Sequence, residues 1–116
     1  MLKIERVEMG NVTVLRLKGD VDETQIDTLR TALYECISSG RVQIVLSLKE
    51  MGFISYMGLG VIVERLRKVR AVNGDIKLCA TNLYTDRLFR MVGVTSLFST
   101  FETEAQAVRV YQEAAA

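Results

Sequence analysis

The sequence predicts an α/β fold: a mixed, mostly parallel β-sheet with an antiparallel N-terminal hairpin and about four α-helices, in the order β-β-α-β-α-β-α-β-α. Three observations predict it. The chain opens on two short β-prone runs joined by Gly10-Asn11. The stretch from Val42 to Leu48 is almost continuously apolar, as a strand buried on both faces reads. From there, helix-like and strand-like segments alternate to the end. A chain of 116 residues stabilises one core and hardly two, so residues 1–116 are read as a single domain.

Lys3 to Met9 and Val12 to Lys18 form the hairpin, and Gly10-Asn11 suits a two-residue turn that needs positive φ. Gly19-Asp20-Val21-Asp22 then leaves the second strand. Asp22 and Gln25 have the spacing of a capping box, opening a helix whose apolar stripe is Ile26, Leu29, Leu33, Cys36 and Ile37. Ser38-Ser39-Gly40 stops that helix. After the buried strand, Lys49-Glu50-Met51-Gly52 and the short Phe53-Ile54 lead into a helix from near Tyr56 to about Asn73-Gly74. Its stripe is Leu59, Ile62, Val63, Leu66 and Val69. Glu64, Arg65, Arg67, Lys68 and Arg70 take the other side, read as a solvated face with a patch recruiting an acidic partner as the alternative. Asp75 to Ala80 is a further strand, Leu83 to Val92 a short helix stopped by Gly93, and Ser99 to Phe101 a last strand. Thr103 and Gln106 make a capping box for the final helix from Glu104, and Ala114-Ala115-Ala116 reads as a loose end. Right-handed crossovers put the first strand at or near an antiparallel edge.

Composition narrows the function. With 15 Lys+Arg against 14 Asp+Glu the net charge is +1, which gives no electrostatic case for nucleic acid. The chain has no His, which removes Ser-His-Asp and Cys-His nucleophiles, imidazole catalysis and every His-containing metal site. Binding is therefore the better expectation than catalysis, with no cofactor. Cys36 and Cys79 are not in a CxxC pair and read as small apolar core residues. The N-terminus reaches charged residues too early for a signal peptide, and no apolar run approaches a membrane span, so a cytoplasmic protein without membrane insertion is expected.

In parallel sheets ligands meet the carboxyl ends of the strands, where two loops stand out: Gly19 to Asp22 and Met51 to Gly60. Gly58 and Gly60 lie in the first turns of the long helix, where glycine either admits a ligand or partner to free backbone N–H groups or permits tight packing. No P-loop Lys-Ser/Thr follows them. Asp20 and Asp22 are the one acidic cluster at a strand end. A metal would want a third ligand that the sequence does not supply, so no metal is expected, and Asp22 serves as cap, partner contact or both. Ser55 is placed to cap the helix and is also a candidate phosphate acceptor. Met51, Phe53, Tyr56 and Met57 add apolar bulk. Phe53 is read as core, and Tyr56 and Met57 as an exposed contact surface.

These pieces together resemble the STAS domain, the fold of bacterial anti-sigma factor antagonists, over nearly the whole chain. Gly19-Asp20-Val21-Asp22 is similar to the family's Gly-acid-apolar-Asp turn. Val45-Leu46-Ser47-Leu48 and then Phe53-Ile54-Ser55-Tyr56-Met57-Gly58-Leu59-Gly60 resemble its buried strand and its Phe-apolar-Asp-Ser-Ser/Thr-Gly-Leu-Gly signature. Gly74 to Leu78, and Leu88 to Val94 through Phe98, resemble its later strand and short third helix. The resemblance implies a docking surface for an anti-sigma factor that is itself a serine/threonine kinase and phosphorylates the first Ser of the triplet. Here the triplet is altered: its Asp falls on Ser55, its acceptor Ser on Tyr56 and its third residue on Met57. Tyr56 carries its hydroxyl too far from the backbone for the same kinase geometry. Ser55, one residue early and engaged as a cap, is a poor acceptor.

The expectation is thus a non-enzymatic regulatory binding module of a partner-switching pathway, without the usual serine phosphorylation switch, acting as monomer or weak dimer. Its partner is expected to be an anti-sigma factor or related kinase-like protein, bound through Asp20, Asp22, Ser55, Tyr56, Met57, Gly58 and Gly60. The alternatives are a STAS subunit of a lipid- or membrane-transport assembly, and a nucleotide-binding domain or enzyme using the Gly58-Leu59-Gly60 turn.

Overall fold

Two strands of seven residues, β1 (Lys3–Met9) and β2 (Val12–Lys18), pair antiparallel with Lys3 opposite Lys18 and Met9 opposite Val12. Of the two turn residues only Gly10 takes positive φ, at 61°, the pattern of a type II′ turn. The structure, a computed structural model, describes residues 1–115; Ala116 of the expected loose end lies outside the described residues. The remaining elements are α1 (Ile26–Ser38), β3 (Gln43–Glu50), α2 (Tyr56–Arg70), β4 (Asp75–Cys79), α3 (Leu83–Met91), β5 (Thr100–Phe101) and α4 (Glu104–Ala115). The order is the one the sequence predicts. The five strands run β1-β2-β3-β4-β5 across the sheet, parallel from β2 onward, with antiparallel β1 on one edge.

Alternation along the central strands divides the core. Ile44, Leu46 and Leu48 of β3 face the larger cluster, which α1, α2 and α3 cover with Leu29, Leu33, Leu59, Ile62, Leu66, Leu88 and Phe89. Val45 faces the other side and meets Val12, Val14, Cys79 and the α4 residues Ala107, Val108 and Tyr111. Both cysteines are buried and free, and burial pushes both thiols up, away from reactive thiolate. Two groups anchor α4. Arg16 on β2 donates to both carboxylate oxygens of Glu104 at 2.9 and 2.8 Å, and the buried Tyr111 hydroxyl lies 2.9 Å from the Ile44 carbonyl and 2.7 Å from that of Asp75.

Helix ends follow the turn chemistry of the sequence. After α1, Gly40 N–H donates to Ile37 O and Arg41 N–H to Cys36 O, with Gly40 at φ 80°. After α3, Gly93 and Val94 repeat the same paired closure onto Arg90 and Phe89. The Thr103–Gln106 capping box forms reciprocally, at 3.2 Å in each direction. The Asp22–Gln25 box does not. Asp22 caps a 3-10 turn, Glu23–Gln25, by accepting from Thr24 N–H, while the Gln25 side chain accepts from Leu2 N–H instead. The chain start competes for that side chain and wins.

The face of α2 is also broader than the stripe read from the sequence. Arg65, expected on the solvated side, is only 8% exposed, and its Nε is buried without a hydrogen-bond partner among the described residues. It falls on the helix flank of the buried Gly58, Val61 and Val69, where an arginine can bury its aliphatic stem. Glu64, Arg67, Lys68 and Arg70 remain exposed as expected. Among the described residues no helix is long and apolar enough to cross a membrane.

Candidate functional site

The parallel topology brings the carboxyl ends of β2 and β3 to the same end of the sheet, and the two loops that leave them are joined. Val21 N–H donates to Phe53 O at 2.8 Å and Ser55 N–H donates to Val21 O at 2.9 Å, a one-residue parallel bridge between Val21 and Ile54. Asp20 and Asp22 flank one side of this bridge, and Ser55, Tyr56 and Met57 follow the other. Both aspartates are exposed. The Thr24 hydroxyl and N–H on the Asp22 carboxylate hold its pKa below the ordinary value, so it is a fixed negative charge at neutral pH.

Ser55 caps α2: its backbone is extended and its Oγ accepts from Gly58 N–H at 3.1 Å. The helix then starts with Tyr56 and Met57 pointing outward, 61% and 56% exposed. The two glycines differ. A Cβ on Gly58 would sit 2.9 Å from both Ile54 Cγ1 and Val21 Cγ1, so the first turn of α2 rests directly on the bridge and Gly58 is buried there. Gly58 therefore shapes the site from beneath rather than lining it. Gly60 is exposed, with nothing within 4 Å of where its Cβ would be.

Phe53 departs from its reading as core. It is 40% exposed and stacks on Tyr84, ring centroids 5.6 Å apart. Met51 and Ile54 are the residues of this loop that enter the core. The start of α3 clamps the loop from outside. The Asn82 amide donates to Met51 O at 3.2 Å while its carbonyl oxygen caps α3, and the Tyr84 hydroxyl donates to Ile54 O at 3.1 Å. The Tyr84 side chain therefore holds Ile54, which pairs with Val21 in the bridge but whose own carbonyl the bridge leaves unused.

The result is an apolar surface divided by Tyr56 into two clefts. One, of about 470 Å³, lies between the α2 start and α3, lined by Phe53, Met57, Tyr84, Met91 and Glu23. The other, of about 530 Å³, runs between α2 and the turn after α3. Leu83, Met91 and Val92 add exposed apolar area. The share from α3 was missed in the sequence. Its signal is that Tyr84 and Met91, at i and i+7, add apolar side chains beside the buried face of Thr85, Leu88 and Phe89, more than a single buried face needs.

A third cleft, about 640 Å³, opens on the α4 side of the sheet, but it is lined by Glu5, Arg16, Lys18, Glu50 and Glu104, which are joined to one another by ion pairs. Five of its charged side chains are thus paired with one another, while Lys49 and Glu102, also on its wall, are in no ion pair among the described residues. The Tyr56 surface, by contrast, offers exposed apolar side chains edged by charges of both signs, Glu23 and Arg87 at one cleft and Glu64, Arg67 and Lys68 at the other, which suits docking of another protein.

Comparison with known proteins agrees with this geometry. The STAS domain family profile matches residues 3–107. The chain is 32% identical to an anti-sigma F factor antagonist of Paenibacillus polymyxa over 108 residues, 92% of each chain. Among solved structures, a putative anti-sigma factor antagonist from Thermotoga maritima superposes with a TM-score of 0.86 at 18% identity, covering 91% of this chain and 92% of that one. The anti-sigma factor antagonist SpoIIAA in its unphosphorylated form gives 0.76 at 20% identity, covering 97% and 98%. At such identities these two structures speak for the fold. With the profile spanning most of its length, the chain belongs to the STAS domain family.

Proposed function

We propose that this protein is an anti-sigma factor antagonist-like regulatory module. It binds a kinase-like anti-sigma factor in a partner-switching pathway and works without phosphorylation of the docking surface. Similarity to the Paenibacillus polymyxa antagonist over nearly the whole of both chains supports the regulatory class over a transport subunit. The observation that carries the site is the exposed Tyr56-Met57 pair, set at the start of α2 on the joined β2 and β3 loops. The chain lacks histidine, so the surface offers shape and apolar contact in place of catalysis.

The phosphorylation half of the reading rests on Ser55 and Tyr56. Ser55 Oγ is engaged as the acceptor of Gly58 N–H, so a kinase would have to draw the hydroxyl out of its cap to reach it. Tyr56 presents its hydroxyl at the far end of an exposed ring. Purification of the tagged chain from its host, with and without ATP, followed by mass spectrometry, tests the reading. A kinase-like anti-sigma partner is expected in both samples. Tyr56→Ser and Met57→Ser should each weaken its capture, by about tenfold for an exposed anchor losing its contact area. Undiminished capture by both variants would place the docking surface elsewhere.

A further inference from the structure

We propose that the cleft between α2 and the turn after α3 is a second pocket of the docking surface, which takes an apolar segment of the protein partner flanked by acidic residues. This rests on the proposed docking role of the Tyr56 surface and names the chemistry of the segment that meets it. The floor of the cleft is Leu59 and Val63 from α2 with Val92 and Val94 beyond α3, and Tyr56 closes one end. Because Tyr56 lines both clefts, a segment lying over one continues onto the other.

Gly60 lies in this cleft and has no structural reason to be glycine. Nothing lies within 4 Å of the position its Cβ would take, and an exposed glycine inside a helix costs about 1 kcal/mol relative to alanine. Gly58, two residues earlier, is required by packing, and Gly60 is not. What its missing side chain leaves is open space against the α2 backbone, on the side that a docked segment would occupy.

The charges at the rim select the occupant. Arg67 and Lys68 stand at the open edge, and among the described residues neither is in an ion pair. Glu64, the one acid on the rim, lies 3.7 Å from Arg65 Nε, which partly matches its charge. The rim is therefore positive. Around the first cleft the charges are mixed: Asp20, Asp22 and Glu23 are exposed, and so is Arg87, which lines that cleft beside Glu23. The cation pair at the second cleft therefore selects the segment, whose acidic flank lies at Arg67 and Lys68.

The test uses the isotope-labelled full chain and two short synthetic peptides that share the same leucines, one flanked by Glu and one by Lys. The Glu-flanked peptide is expected to shift the amides of Gly60, Val63, Lys68 and Val94, and to bind about tenfold more tightly than the Lys-flanked one. The Arg67→Glu/Lys68→Glu double variant should reverse that preference, and Gly60→Leu, which fills the cleft while favouring the helix, should abolish the shifts. Equal binding of the two peptides, or no shift at these amides with either, would overturn the proposal. So would the same shifts on concentrating the chain alone, since the occupant would then be a second copy. The peptide titration reads the cleft without the natural partner, whereas capture of that partner by the Tyr56 and Met57 variants reads the docking role. Either can fail while the other stands.

Discussion

Gly58 and Gly60 are indistinguishable in the sequence, where both read as glycines at a helix start, yet the structure gives them opposite costs. A methyl at Gly58 meets Val21 and Ile54 at 2.9 Å, so Gly58→Ala should destabilise by about 1–3 kcal/mol through overpacking of the bridge. Gly60→Ala meets nothing and should stabilise by about 1 kcal/mol through helix propensity. Urea unfolding midpoints of the two variants check this directly, with shifts of opposite sign. The difference was not legible beforehand because Val21 reaches Gly58 from beyond the end of β2, far away along the chain, and its pairing with Ile54 is what sets both against the first turn of α2. Phe53 shows the same limit: an aromatic residue in an apolar loop reads as core, but its stacking partner is Tyr84, on a helix whose placement only the fold supplies. Gln25 was misplaced for a similar reason, since a residue at capping-box spacing is drawn instead to the Leu2 N–H.

At the scale of elements, α3 is the least obvious contributor and the one that positions the site. Tyr84→Phe keeps the stack on Phe53 but removes the hydroxyl that donates to Ile54 O, leaving that part-buried carbonyl without this donor at a cost of about 1 kcal/mol. The Ser55 amide, bonded to Val21 O across the same bridge, should then exchange with solvent faster. Hydrogen exchange at Ser55 measures this, and unchanged protection would mean that the bridge holds without the clamp. On the opposite face α4 depends on the bidentate Arg16–Glu104 pair, which holds the Glu104 carboxyl below its usual range. A depressed carboxylate pKa adds stability at neutral pH that is lost as pH falls through the folded-state value. Glu104→Gln should therefore cost about 1 kcal/mol near neutrality and progressively less under acid, so the two stability curves converge at low pH. The capping boxes illustrate what is legible at this scale: Thr103–Gln106 forms as read because nothing else reaches it.

For the whole molecule, the order of strands and helices was legible because each segment carries its own period and the continuous apolar run of β3 marks a strand with both faces covered. That topology alone sends the Asp20–Asp22 and Ser55–Met57 loops to one end of the sheet. The breadth of the apolar surface was not legible, because half of it comes from α3 and from residues that a single stripe leaves unexplained. The assembled protein thus presents the proposed docking surface held in shape from below by the Val21–Ile54 bridge and from outside by Tyr84, with Tyr56 exposed upon it. The most direct test of that account is the intact mass of the chain after incubation with its co-purified kinase-like partner and ATP, read together with the fraction still bound. The account predicts an unmodified chain that stays in complex. Stoichiometric phosphate on Ser55 or Tyr56, accompanied by release of the partner, would contradict it.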